Sequence, residues 1–125
     1  LTKRLKIARR EVRKMKKFKI YYGLGGSFGG AKFSHIEECK DKYEAEEIAY
    51  GLAWEEYESY GGLHGLTSEA EIRENLEDYG LDETATEQDI YEAYQEEVLS
   101  WIAYRVEEWD GRPVDEDGMV YDGEE

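Results

Sequence analysis

Residues 17–36 read KFKIYYGLGGSFGGAKFSHI, and the reading of this stretch decides the fold. Phe18, Ile20 and Tyr22 alternate with Lys17, Lys19 and Tyr21, the period of two that marks a strand. Ala31 to Ile36 reads as a second strand. Between them, residues 22–30, YGLGGSFGG, hold five glycines in nine positions. Such a loop either turns a hairpin or lets backbone amides approach a phosphate.

The register favours the hairpin. A dinucleotide fingerprint needs a strand, then G-x-G-x-x-G, then a helix whose N-terminus meets the pyrophosphate. Counted from Gly23, Phe28 stands where the third glycine belongs, and a strand follows. A phosphate-binding P-loop needs Gly-Lys-Ser/Thr at its end, which is missing. The nearest likeness is the glycine-rich hairpin of protein kinases, G-x-G-x-F-G. Leu24-Gly25-Gly26-Ser27-Phe28-Gly29 matches it except at Leu24, but nothing like H-R-D or D-F-G accompanies it. The stretch is therefore expected to form a mobile hairpin tip. Gly25, Gly26 and Ser27 form the loop, and Phe28 is its apolar contact residue for a partner. A lone hairpin is marginal, so helices must cover it.

Three helices are expected to do so. The first spans about Lys42 to Tyr60 and stops at Gly61-Gly62. The second starts at Ser68, with Glu71 completing a capping box, and ends near Tyr79-Gly80. The third starts at Thr86, with Asp89 at its third position, and runs to about Trp109. Ahead of the hairpin, Leu1, Leu5, Ala8, Val12 and Met15 form one stripe of a basic amphipathic helix over residues 1 to about 17. After Pro113 the chain is rich in Gly and acids. The expected fold is α+β: a small β-hairpin packed on three helices, with an N-terminal basic amphipathic helix and an acidic C-terminal tail. The arm is 1–16, the domain 17–110 and the tail 111–125. A length of 125 residues fits one domain.

Charge is the dominant compositional signal. The net charge of −15 is divided very unevenly. Residues 1–20 carry ten Lys/Arg against Glu11, a net of +9; the remaining six Lys/Arg face 30 acids, a net of −24. Between residues 41 and 110 only Lys42, Arg73 and Arg105 are basic. At about 100° per residue, Glu44, Glu47, Glu55 and Glu58 fall on one face of the first helix. Ile48, Ala49, Leu52, Ala53, Trp54 and Tyr57 fall opposite. On the third helix Asp89, Glu92, Glu96 and Glu107 form a second row, opposite Ile90, Tyr94, Val98, Trp101, Ile102 and Val106. A merely solubilising face mixes Lys with Glu. Like charges at i, i+3 and i+4 repel by tenths of a kcal/mol each. The rows are therefore candidate partner-binding residues.

No reaction chemistry emerges from the sequence. Two His (His35, His64) and Cys39 cannot build a structural zinc site of the usual ligands. An EF-hand register over the tail would use Asp115, Asp117, Gly118, Val120 and Glu124, but Pro113 holds the first ligand position and no exit helix can follow. Cys39 and His35 lack a third group for nucleophilic catalysis. No enzyme, cofactor or metal is expected. No apolar run approaches the roughly 20 residues of a membrane span, and no apolar segment of a Sec signal follows the basic N-terminus. One cysteine excludes an intramolecular disulfide and fits a cytoplasmic setting in a host cell.

Tyr21 to Ala31, YYGLGGSFGGA, and Glu55 to Gly65, EEYESYGGLHG, look like segments of small acidic proteins of tailed phages. In size and charge the chain also resembles anti-CRISPR and anti-restriction proteins that mimic nucleic acid. That resemblance implies a non-enzymatic inhibitor that binds a basic nucleic-acid-handling protein, such as a CRISPR nuclease, through acidic helical faces. The +9 arm departs from a simple mimic. Duplex DNA carries about one charge per 1.7 Å, and one helix face repeats about every 5 to 6 Å. Two adjacent helices would narrow that gap. A surface near −24 excludes direct nucleic-acid binding by the body. Two alternatives stand beside this reading. One is a small-molecule or nucleotide module using the Gly-rich hairpin with Tyr22 and Phe28. The other is a structural or assembly protein, with the N-terminal stripe as a homo-oligomer seam.

Overall fold

The computed structural model describes residues 15–120. Strand β1 (Lys16–Leu24) runs into a single 3-10 turn at Gly26–Phe28 and returns as β2 (Gly30–Cys39). Helix α1 (Lys42–Ser59) follows, then the short α2 (Glu69–Glu74), a 3-10 turn at Leu76–Tyr79, α3 (Glu87–Trp101) and β3 (Ile102–Glu108). The sheet is antiparallel throughout, in the order β2-β1-β3.

Two features correct the expected fold. No N-terminal helix is seen: β1 already starts at Lys16, where that helix was expected to continue to about 17, and residues 1–14 lie outside the described residues. The hairpin is also not the whole sheet. The helix expected to reach Trp109 ends at Trp101, where Ile102 turns extended at φ −69°, ψ 143°. Neither Gly nor Pro marks that change. Ile102 and Val106 fit a strand as well as a helix, because residues four apart share a face in both. Tertiary pairing resolves the ambiguity. β3 caps the open edge of β1 in register, with Leu24 opposite Ile102, Ile20 opposite Val106 and Phe18 opposite Glu108.

One face of the sheet is covered by α1. Phe18, Ile20 and Leu24 of β1 are buried, and Cys39 and Val106 join them from the flanking strands. α1 presents Ala45, Ala49, Ala53 and Tyr57, each four residues after the last and all buried. Three alanines let the helix lie close to the strands, while Ile48 and Leu52 fill the sides. The second half of the core gathers Leu24, Tyr57, Leu66, Ile72, Ile90, Tyr94 and Val98 between the sheet end and the three helices. Tyr57 is the pivot there. Its hydroxyl donates to the Thr67 carbonyl (2.8 Å) and accepts from the Thr67 amide (2.9 Å), both buried. Burial raises its pKa, so it remains a donor.

Two helix starts follow the capping residues read from sequence: Ser68 accepts from the Glu71 amide, and Thr86 forms a reciprocal box with Asp89. The first helix starts at a cap not singled out there, Asp41, which accepts from the Glu44 amide.

The opposite sheet face is covered by the chain after β3. An extra residue in β2, Ser34, bulges at the step from Ile20 to Tyr21 and brings Phe33 opposite Tyr21. Their rings meet edge-on at 5.6 Å. The Arg105 guanidinium lies 3.7 Å from the Tyr21 ring centroid. Lys19 pairs with Glu107 (3.3 Å) and donates to the Gly118 carbonyl (3.1 Å). Residues 109–120 fold back through a Val114–Val120 bridge. Gly118 has φ +81°, and a Cβ there would sit 2.8 Å from Phe33 ring carbons and the Tyr21 hydroxyl. Through Val120, the segment expected to be an acidic tail is part of the body.

Candidate protein-interaction surface

The glycine loop is built into the fold. The Gly25 amide donates to the Trp101 carbonyl (2.7 Å), tying the turn to the end of α3. Phe28 and Gly29 donate to the carbonyls of Gly25 and Gly26. Three amides that a phosphate would need are thus already engaged. Gly23 is obligatory for another reason: a Cβ there would stand 2.3 Å from the Gly30 carbonyl oxygen across the hairpin.

Phe28, expected to reach a partner, is half-buried instead. Its ring packs on Tyr60 (5.1 Å) and Trp101 (5.8 Å) of its own core. Ser27 and Gly26 remain exposed at the turn. The cleft beside the loop, lined by Tyr22, Phe28, Phe33, Lys32 and Glu56 among others, encloses about 210 Å³. Small-molecule sites usually span about 300–1,000 Å³.

The carboxylate rows divide into engaged and exposed groups. Glu107 is not on α3 at all, because the helix ends at Trp101. It sits on β3 between Lys19 and Arg105 and pairs with both. Burial alone would raise its pKa, but the hydrogen bonds from Lys19 and Arg105 outweigh this and lower it. Asp89 accepts from the Thr86 amide in the α3 cap. Glu44 accepts from the Lys40 amide at the start of α1. Glu47, Glu55 and Glu58 stand exposed on α1, opposite its alanine stripe; Glu92 and Glu96 stand exposed on α3, opposite Ile90, Tyr94 and Val98.

None of the ion pairs formed among the described residues involves Glu47, Glu55, Glu58, Glu92 or Glu96. The helices do touch at this level: Tyr94 of α3 meets Trp54 and Tyr57 of α1 edge-on. The Tyr94 hydroxyl lies 3.5 Å from the Glu58 carboxylate. Burial first, then the Glu58 charge, pushes the Tyr94 pKa up to about 12. Glu58 therefore borders a cleft of about 330 Å³ with Glu69, Tyr91 and Tyr94.

The aromatic residues beside the α1 row were not singled out from sequence. Tyr43, Tyr50 and Tyr104 form a third cleft with Glu46 and Glu47. The helical spacing of Tyr43, Glu47 and Tyr50 carried part of that signal. Tyr104 carried none, since it joins the group only because its segment is a strand.

The described residues contain no group of three or more His, Cys, Asp or Glu able to hold a metal ion. Asp115, part of the calcium-like spacing, accepts from the amides of Asp117 and Met119 and so stabilises its own turn. No helix among the described residues is long and apolar enough to cross a membrane.

In comparisons with protein families, curated proteins and solved structures, the chain matches no family, no curated protein and no solved structure.

Proposed function

We propose that this protein is a non-enzymatic, phage-type inhibitor that binds a basic nucleic-acid-handling protein, with a CRISPR nuclease as the leading example. The exposed carboxylates of α1 and α3 make the contact, and occupation of a groove that would otherwise take nucleic acid is the mechanism. The observation that carries this reading is the set Glu47, Glu55, Glu58, Glu92 and Glu96, left exposed outside the body's own ion pairs. Among the described residues, Lys16, Lys17, Lys19, Lys32 and Arg105 sit on the strands, away from this set. Holding like charges together on a small domain costs stability, and binding a basic partner would offset that cost. The resemblance in size and charge to nucleic-acid mimics points the same way.

The test is binding to a Cas effector across a salt series, with and without competing duplex DNA. Affinity should fall as salt rises, and DNA should displace the protein. The combined substitution Glu47→Gln, Glu55→Gln, Glu92→Gln and Glu96→Gln should weaken binding without lowering the melting temperature. Salt-insensitive binding that leaves DNA loading intact would overturn the mimicry.

A further inference from the structure

The cleft at the start of α1 has a chemistry of its own. Tyr43, Glu46, Glu47, Tyr50 and Tyr104 line about 280 Å³ of open space. Tyr43, Glu46, Glu47 and Tyr50 recur three, four and seven positions apart, so α1 presents them on one flank. Tyr104 comes from β3, opposite Tyr22 of the central strand. Its ring meets Tyr50 at 5.6 Å and 72°, and Tyr50 in turn leans on Trp54 at 5.9 Å. Tyr43 is 64% exposed and Tyr104 41%, so two of the three rings keep much of their surface in water. Glu47 lines the cleft with Tyr43, the most exposed of the three rings, and its charge raises the Tyr43 hydroxyl's pKa.

The rings and carboxylates select the same ligand. Aromatic faces are electron-rich and attract cations. The two carboxylates repel anions, and an apolar group seated there would desolvate them without compensation. A flat guanidinium satisfies both at once, stacking on a ring while donating to a carboxylate. None of the five lining residues is basic, so the cleft does not supply that cation itself.

We propose that this cleft receives one arginine side chain of the partner, its guanidinium against the exposed rings of Tyr43 and Tyr104 and its N–H groups toward Glu46 and Glu47. This rests on the reading that the partner is a basic protein, and adds a point of insertion to a surface otherwise defined by charge.

The probe is arginine amide, titrated into the full chain while the tyrosine ring resonances are followed by NMR. Citrulline amide, the same shape without the charge, is the control. Saturable shifts of Tyr43, Tyr50 and Tyr104 are expected, about fivefold weaker with citrulline. Tyr43→Leu keeps every charge and should weaken arginine binding by a similar factor with an unchanged melt. Tyr104→Leu should do the same, and Tyr43→Leu decides the matter if that second variant fails to fold. Equal binding of citrulline amide, or of arginine amide by Tyr43→Leu, would overturn the proposal. The two readings fail separately. An effector that binds Tyr43→Leu as tightly as the parent removes the arginine cleft and leaves the acidic surface standing. Saturable arginine binding with no effector binding at any salt does the reverse.

Discussion

The two sides of β1 are held in different ways. Toward α1, Phe18 and Ile20 meet the alanine stripe and Leu24 meets Tyr57, in apolar contacts with no charge in them. Away from α1, Lys19 and Tyr21 meet Glu107, Arg105, Phe33 and the backbone of Gly118. One strand thus carries an apolar contact on its even residues and a charge-and-ring contact on its odd ones. The contrast shows where the cations among the described residues are used. Lys16, Lys19 and Arg105 are engaged with Glu108 and Glu107 on the strands, while α1 and α3 leave Glu47, Glu55, Glu58, Glu92 and Glu96 exposed outside those ion pairs.

The comparison can be broken most severely on the apolar side. Ile20→Ala, at a fully buried position, should lower unfolding free energy by about 2–5 kcal/mol in denaturant melts. Gly118→Ala forces a side chain into the Phe33 and Tyr21 rings at a positive φ. A cost of about 1–3 kcal/mol is expected, with hydrogen-exchange protection lost over residues 109–120 and retained in α1. Arg105→Ala removes the cation over Tyr21 and a partner of Glu107, for about 1 kcal/mol. That loss should shrink in high salt, whereas the Ile20 effect should not.

Acidification sharpens the same contrast with a smaller effect. The folded pKa of Glu107 lies below its ordinary value of about 4.3. Its contribution to stability is therefore complete above that value and is lost as pH falls through the folded pKa. Lys19→Met should flatten that step in a pH series of melts. Smallest of all, Glu55→Gln and Glu96→Gln should move stability by no more than about 0.5 kcal/mol. A large loss there would mean that these carboxylates hold the fold rather than face a partner.

Much of this architecture was readable from local pattern. The alternation around Ile20, the glycine turn, and the capping residues Ser68 and Thr86 each carry their signal within a few positions. What escaped was set by contacts distant in sequence. Residues 102–108 satisfy both periods, and only the open edge of β1 makes them a strand. That one change moved Glu107 out of an acidic row into a paired site and brought Tyr104 to Tyr50. Phe28 was misplaced for a related reason: a glycine-flanked aromatic resembles an exposed tip until Tyr60 and Trp101 arrive from two helices. The residue types of the candidate surface were legible, but their division into engaged and exposed groups depended on hydrogen bonds to caps and strands.

The strand order carries a consequence for synthesis. β1 lies at the centre of the sheet, yet one of its two neighbours, β3, is encoded about 80 residues later. At roughly 5–20 residues per second, a nascent β1–β2 hairpin would wait roughly 3 to 14 s for that neighbour. During this interval the inner strand is temporarily an outer one, with its ladder groups open to other chains on the polysome. Lys16, Lys17 and Lys19 punctuate that same strand between its apolar residues. Spaced positive charges repel an identical strand from a neighbouring nascent chain. After β3 docks, Lys16 and Lys19 turn from gatekeepers into the pairing partners of Glu108 and Glu107.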